Sequence, residues 1–126
     1  MTTPADIVDT FIAAIERNDL DTAMALLADD CEYDNVPIRK EFGRDAVRKT
    51  LAPFCDRFDE IDWRVNFQAA SGTTDEGVVM NERVDRFRAG ERWHELPVAG
   101  LFVIKQGRIV LWRDYFDTGQ FRAAFA

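Results

Sequence analysis

Arg83 and Asp85 lie two residues apart in a stretch that alternates along its length, Val78-Val79-Met80-Asn81-Glu82-Arg83-Val84-Asp85-Arg86-Phe87. Successive side chains of a strand project to opposite faces, so Val79, Asn81, Arg83, Asp85 and Phe87 share one surface at steps of about 7 Å. Val78, Met80, Glu82, Val84 and Arg86 share the other. A guanidinium beside a carboxylate is either a solvated ion pair, contributing about 0–1 kcal/mol, or a charge held ready for proton transfer. Taken alone the pair is more often the first, and the Val79 and Phe87 that bracket the polar trio count toward the second.

A second carboxylate stands in Leu111-Trp112-Arg113-Asp114-Tyr115-Phe116, where Asp114 shares a strand face with Trp112 and Phe116. Large aromatics on both sides desolvate a carboxylate and disfavour its charge unless a partner compensates. Arg83 is the candidate partner, and Arg113 faces the other way. In Tyr33-Asp34-Asn35 an extended backbone puts Tyr33 and Asn35 on one face, and a phenol with an amide can orient one water molecule. Two carboxylates, a shared arginine and a held water make a general acid–base site, provided the environment separates the two carboxyl pKa values. A strained three-membered ether suits that site, because protonating its oxygen while water attacks carbon needs neither metal nor covalent intermediate.

Each residue also has a plainer reading. Asp114 alone is a strand-end cap, Tyr33 and Asn35 alone are turn residues ahead of Pro37, and Asp117 helps to end the last strand. His94 alternates with Leu96 and Val98 toward a pocket, although a lone histidine is more often structural. Phe54, Phe58, Trp63 and Phe67 read first as core or interface packing.

Several function classes are disfavoured by composition. The net charge of −7, with basic residues scattered among acidic ones, argues against nucleic acid or an anionic membrane surface as partner. No apolar run approaches the roughly 20 residues of a membrane helix, and the first residues lack the pattern of a secretory signal. A cytoplasmic location is therefore expected. Cys31 and Cys55 then read as small buried residues rather than disulfide halves. One histidine and no Cys/His cluster give no expectation of a metal or other cofactor.

The elements that must position these residues divide the chain in two. Apolar residues recur at helical spacing from Pro4 to Asn18 and from Leu20 to Leu27, and Gly43-Arg44-Asp45 opens a third helix to Arg57. A short strand or turn covers Cys31 to Val36. Period two then takes over in strands 61–69, 78–87, 92–104 and 108–116, with turns at Ala89-Gly90 and Gln106-Gly107. Helices followed by an antiparallel meander predict an α+β fold with helices on one sheet face, forming one domain over residues 1–126. In a simple meander a third strand separates Asp85 from Asp114, leaving their backbones roughly 10 Å apart. Bridging that gap calls for the arginine, sheet curvature and a bulge.

Four segments together carry a family resemblance: Tyr33-Asp34-Asn35-Val36-Pro37, Phe42-Gly43-Arg44-Asp45-Ala46-Val47, Asn81-Glu82-Arg83-Val84-Asp85 and Trp112-Arg113-Asp114-Tyr115-Phe116-Asp117. In this order and spacing the chain resembles the limonene epoxide hydrolase family, cofactor-free enzymes with the cone-shaped fold of nuclear transport factor two and ketosteroid isomerase. The resemblance implies a curved mixed sheet with the N-terminal helices on its concave face, enclosing an apolar pocket. It implies Asp85 as acid toward the epoxide oxygen, Asp114 as base, Arg83 bridging them, and Tyr33 and Asn35 holding the attacking water. Phe87, Leu96, Val98, Phe116 and Phe121 are the expected pocket wall. A small apolar epoxide is the expected substrate, and a homodimer through the sheet's outer face the expected assembly. The alternatives are an isomerase, dehydratase or polyketide cyclase on the same fold, or a non-catalytic ligand-binding module.

Overall fold

A computed structural model describes residues 1–124. Helix α1 (Pro4–Glu16) starts at a capping box, in which the Thr3 hydroxyl accepts from the Asp6 backbone while the Asp6 carboxylate accepts from the Thr3 backbone. Its buried stripe of Ile7, Val8, Phe11, Ile12 and Ile15 packs on the sheet. Helix α2 (Leu20–Ala25) follows, capped by the Asp19 side chain. Helix α3 (Arg44–Arg57) buries Val47, Leu51 and Cys55, and Pro53 lies inside it.

Six strands form one sheet: β1 (Leu27–Asn35), β2 (Arg39–Phe42), β3 (Glu60–Gly72), β4 (Glu76–Ala89), β5 (Arg92–Lys105) and β6 (Arg108–Tyr115). Their order is β2-β1-β6-β5-β4-β3. Strands β3 to β6 form the expected antiparallel meander, and the sheet becomes mixed where β1 runs parallel to β6. It is curved and unclosed, in keeping with a cone fold. The β5–β6 hairpin turns at Gln106 and Gly107, with φ of 52° and 77°. Such left-handed backbone suits a two-residue hairpin and is cheapest at glycine.

Four differences from the sequence reading follow from pairing between distant residues. The second helix stops at Ala25, because Leu27 is already paired with Ile109 of β6. Residues 39–42 pair with β1 as an edge strand, although their polar character gives no alternation to detect. After β6 the chain forms a short helix, α4 (Thr118–Ala124), and the Asp117 carboxylate accepts from the Gly119 and Gln120 backbone N–H groups at its start. Asp117 thus opens a helix rather than ending a strand. In β3 a register shift between Val65 and Phe67 breaks the expected alternation, so Trp63 is buried while Phe67 is 74% exposed.

Candidate active site

Strand β4 alternates as its sequence requires, with Val79, Asn81, Arg83, Asp85 and Phe87 buried and Val78, Met80 and Glu82 exposed. Arg83 has no exposed surface, so its charge must be matched inside the protein. Its Nε and Nη2 donate to Asp85 Oδ1 and Oδ2 at 2.9 and 3.1 Å, and Nη2 also donates to Asp114 Oδ2 at 2.9 Å. The planar guanidinium thus serves one carboxylate in bidentate fashion and reaches the other with the same outer nitrogen. Arg113, on the opposite face, pairs instead with Glu32 and Asp34.

Glycine opens the path between the two aspartates. Strand β5 does separate β4 from β6, and its residue between Asn81 and Asp114 is Gly100. A Cβ built there would overlap Arg83 Nη1 and lie 2.9 Å from Asn81 Oδ1 and 3.0 Å from Asp114 Oδ1. The bare backbone leaves a corridor for the guanidinium between the two aspartate strands, and the register shift beside the site falls on the other side of β4, in β3 opposite Arg83 and Glu82. Sequence reasoning missed Gly100, yet a glycine inside an apolar strand is itself a signal of close approach.

Residues on one row of the sheet complete the cluster. Asn35 of β1 is paired with Asp114 of β6, and one step back Tyr33 is paired with Trp112. The Tyr33 ring stacks on Trp112 with centroids 4.1 Å apart, and Asn35 borders the same cavity as the phenol. Trp112 Nε1 donates to Asp114 Oδ1 at 3.1 Å, so Asp114 has an N–H donor on each oxygen. The sequence reading treated Trp112 only as an apolar neighbour. Trp63, opposite Asp85 on β3, lies over the other side of Arg83 with 5.3 Å from guanidinium carbon to ring centroid.

Burial and neighbouring charges act on the Asp85 carboxyl. One guanidinium cannot neutralise two buried carboxylates, so a single proton is favoured on the cluster. Burial pushes the Asp85 carboxyl up to about 6; Arg83 opposes that shift and Asp114 adds to it. Burial also disfavours the Arg83 charge, but the fields of Asp114 and Asp85 outweigh it and hold the proton more firmly than usual. Burial, then the Asp114 charge, push the Tyr33 phenol up, and it stays protonated. Among the described residues, no group of three or more His, Cys, Asp or Glu is arranged to hold a metal ion.

Asp85 and Asp114 face a cavity of about 440 Å³, within the usual range for small-molecule sites. All five expected wall residues line it: Phe87, Leu96, Val98, Phe116 and Phe121. Helix α3 adds Leu51 and Phe54, and a more polar margin carries Arg39, Glu41, Thr50 and Arg57. Tyr33 and Asn35 border the same space. His94 is not part of the wall; it stacks on Phe87 with centroids 5.7 Å apart and meets the edge of Phe58.

A model of the limonene-1,2-epoxide hydrolase catalytic domain matches residues 2–125. The chain belongs to this family. Epoxide hydrolase EphG of Mycobacterium tuberculosis is 33% identical to this limonene-1,2-epoxide hydrolase domain over 110 residues, which span 87% of the chain and 70% of that protein. The solved structure of a limonene-epoxide-hydrolase-like epoxide hydrolase from M. tuberculosis superposes with a TM-score of 0.79 at 29% identity, covering 95% of this domain and 87% of that chain. An NTF2-like protein from Burkholderia pseudomallei gives a TM-score of 0.74 at 21% identity, with 95% of each chain covered, and speaks to the fold alone. Among the described residues of the domain, no helix is long and apolar enough to cross a membrane.

Proposed function

We propose that this domain hydrolyses a small, largely apolar epoxide to a vicinal diol in one step. The observation that carries this reading is the single buried guanidinium shared by two carboxylates that both face an apolar cavity. Asp114 takes a proton from a water held with Tyr33 and Asn35. The water oxygen attacks an epoxide carbon, that C–O bond breaks, and Asp85 protonates the departing oxygen. Asp85 then recovers a proton as Asp114 loses one, which restores the cluster. Family membership and the 33% identical epoxide hydrolase support the reaction class. An isomerase or cyclase needs one base and an oxyanion donor, which leaves the second buried carboxylate without a task.

The test is turnover of a panel of small epoxides, such as cyclohexene oxide, styrene oxide and limonene oxide, with a chelator present. The parent is expected to form diol and Asp114→Asn to form none, a loss of at least about 10²-fold. Tyr33→Phe and Asn35→Ala are expected to lower kcat by about 10-fold each, since each removes one of two anchors on the water. Diol formation by Asp114→Asn at the parent rate would overturn the assignment of the base. No turnover of any epoxide by the folded parent would overturn the reaction class.

The reading includes a homodimer through the outer sheet face. Phe67, Val78 and Met80 stand exposed on β3 and β4, with Phe67 and Met80 at 74% and 54%. An apolar face of this kind is rarely left to water. Light scattering is expected to give twice the chain mass, falling to the monomer value in Phe67→Glu with Met80→Glu; a parent that is already monomeric would sink the assembly.

A further inference from the structure

Arg83 has a third anchor that neither carboxylate supplies. Its Nη1 donates to Asn81 Oδ1 at 3.0 Å. Asn81 Nδ2 donates to Gln68 Oε1 at 3.1 Å, and Gln68 Nε2 donates to Asp9 Oδ1 at 3.0 Å. The chain of bonds runs from a buried cation on β4, across β3, to an exposed carboxylate on α1. Its direction is fixed by chemistry. A guanidinium only donates and an ionised carboxylate only accepts, so both amides must turn oxygen toward Arg83 and NH2 toward Asp9.

We propose that Asn81 is a positioning residue, held by Gln68 and Asp9, which keeps the Arg83 guanidinium centred between Asp85 and Asp114 during the reaction. Its catalytic meaning rests on the hydrolytic reading above. As proton transfer proceeds, negative charge leaves Asp114 and appears on Asp85. A guanidinium tied only to those two groups would follow the charge, and a displacement of about 1 Å in a catalytic group can cost about 10²-fold in rate. Asn81 holds Nη1 with a neutral acceptor whose strength does not change as the proton moves.

The fold builds this anchor deliberately far from solvent at one end. Asn81 is 5% exposed. Upstream of the β3 register shift, Ile61 and Trp63 face inward; downstream the inward phase passes to Gln68, which is the partner of Asn81. Without that extra residue, Phe67 would occupy the inward position and the amide chain would have no second member. Asp9 ties its far end to the helix that covers the sheet. The charged and titratable groups around Asp85 are Arg83 on its own strand, Asp114 on β6, Tyr33 on β1 and Glu16 at the end of α1.

Asn81→Leu removes the acceptor at similar volume and is expected to lower kcat at least 10-fold, with KM within about two-fold because Asn81 does not line the cavity. Gln68→Glu removes the donor toward Asp9 and sets two carboxylates against each other; a roughly three-fold loss is expected. The Gln68→Glu, Asp9→Asn double variant supplies the donor from α1 instead, and kcat is expected to return. Parent kcat per folded molecule in Asn81→Leu, with only its Tm lowered, would overturn the proposal. If Asn81→Leu does not fold, the Gln68→Glu loss and its recovery decide the matter on the same terms. Should the parent turn over no epoxide, the hydrolytic reading fails separately. The anchor is then tested by NMR titration of the Asp85 carboxyl, expected to move by at least about half a unit between parent and Asn81→Leu. An unchanged titration would overturn it.

Discussion

Asp85→Asn is expected to lower kcat by about 10³-fold while the protein stays folded, because the amide keeps the shape of the side chain and loses its transferable proton. The same variant should change how stability depends on pH. The Asp85 carboxyl is raised from 3.8 to about 6, chiefly by burial. Between those values the folded chain holds a proton that the unfolded chain has already released. Stability therefore falls as pH rises through that window, by at most roughly 3 kcal/mol from this group. Asparagine binds no proton, so the loss of Tm between pH 4 and 6.5 should be smaller in the variant than in the parent. Parallel curves would contradict the raised carboxyl. In the parent, kcat/KM should decline above about pH 6 as Asp85 gives up the proton it must donate; a rate that keeps rising to pH 9 would remove Asp85 from the role of acid.

Gly100→Ala should be the most damaging small substitution that replaces no catalytic residue. Gly100 has no left-handed backbone that would oppose alanine, and glycine within a strand is itself mildly unfavourable. On backbone grounds alone the change is neutral or stabilising. The new methyl group, however, would overlap Arg83 Nη1 and crowd Asn81 and Asp114. The guanidinium is pinned by four hydrogen bonds to Asn81, Asp85 and Asp114, so it must give up at least one of them. A loss of about 10²-fold in kcat is expected, counted per folded molecule by near-ultraviolet circular dichroism. Parent activity in Gly100→Ala would show that the corridor has slack and that the bridging geometry is not what the rate depends on.

The fold and the candidate site differ in how openly the sequence displays them. Strand β4 could be read without ambiguity, since a period of two over ten residues has one structural solution and places Asn81, Arg83 and Asp85 on one face. Helix α1 was equally plain from its start at Pro4 and its apolar stripe, and the Gln106-Gly107 turn from its residue types. The pocket wall of Phe87, Leu96, Val98, Phe116 and Phe121 followed from a resemblance carried by four short segments rather than from periodicity. The edge strand 39–42, the helix after Asp117 and the outward turn of Phe67 gave no local warning. Edge strands and short terminal helices gain their stability from what they pack on, and a bulge is defined by the register of a partner strand.

By itself, the sequence determined which side chains share a face, because alternation and helical spacing are properties of neighbours in the chain. It also supplied the chemical inventory of two carboxylates, one arginine, a phenol and an amide. Only the tertiary structure decided that β1 runs parallel beside β6, which sets Asn35 next to Asp114, and that Gly100 lies between the two aspartate strands. Only it decided that the β3 register shift turns Gln68 toward Asn81. Those are contacts between residues far apart in sequence, selected when apolar faces of distant segments find mutual burial. A carboxyl raised to about 6 is a product of that burial, and no list of residues contains it.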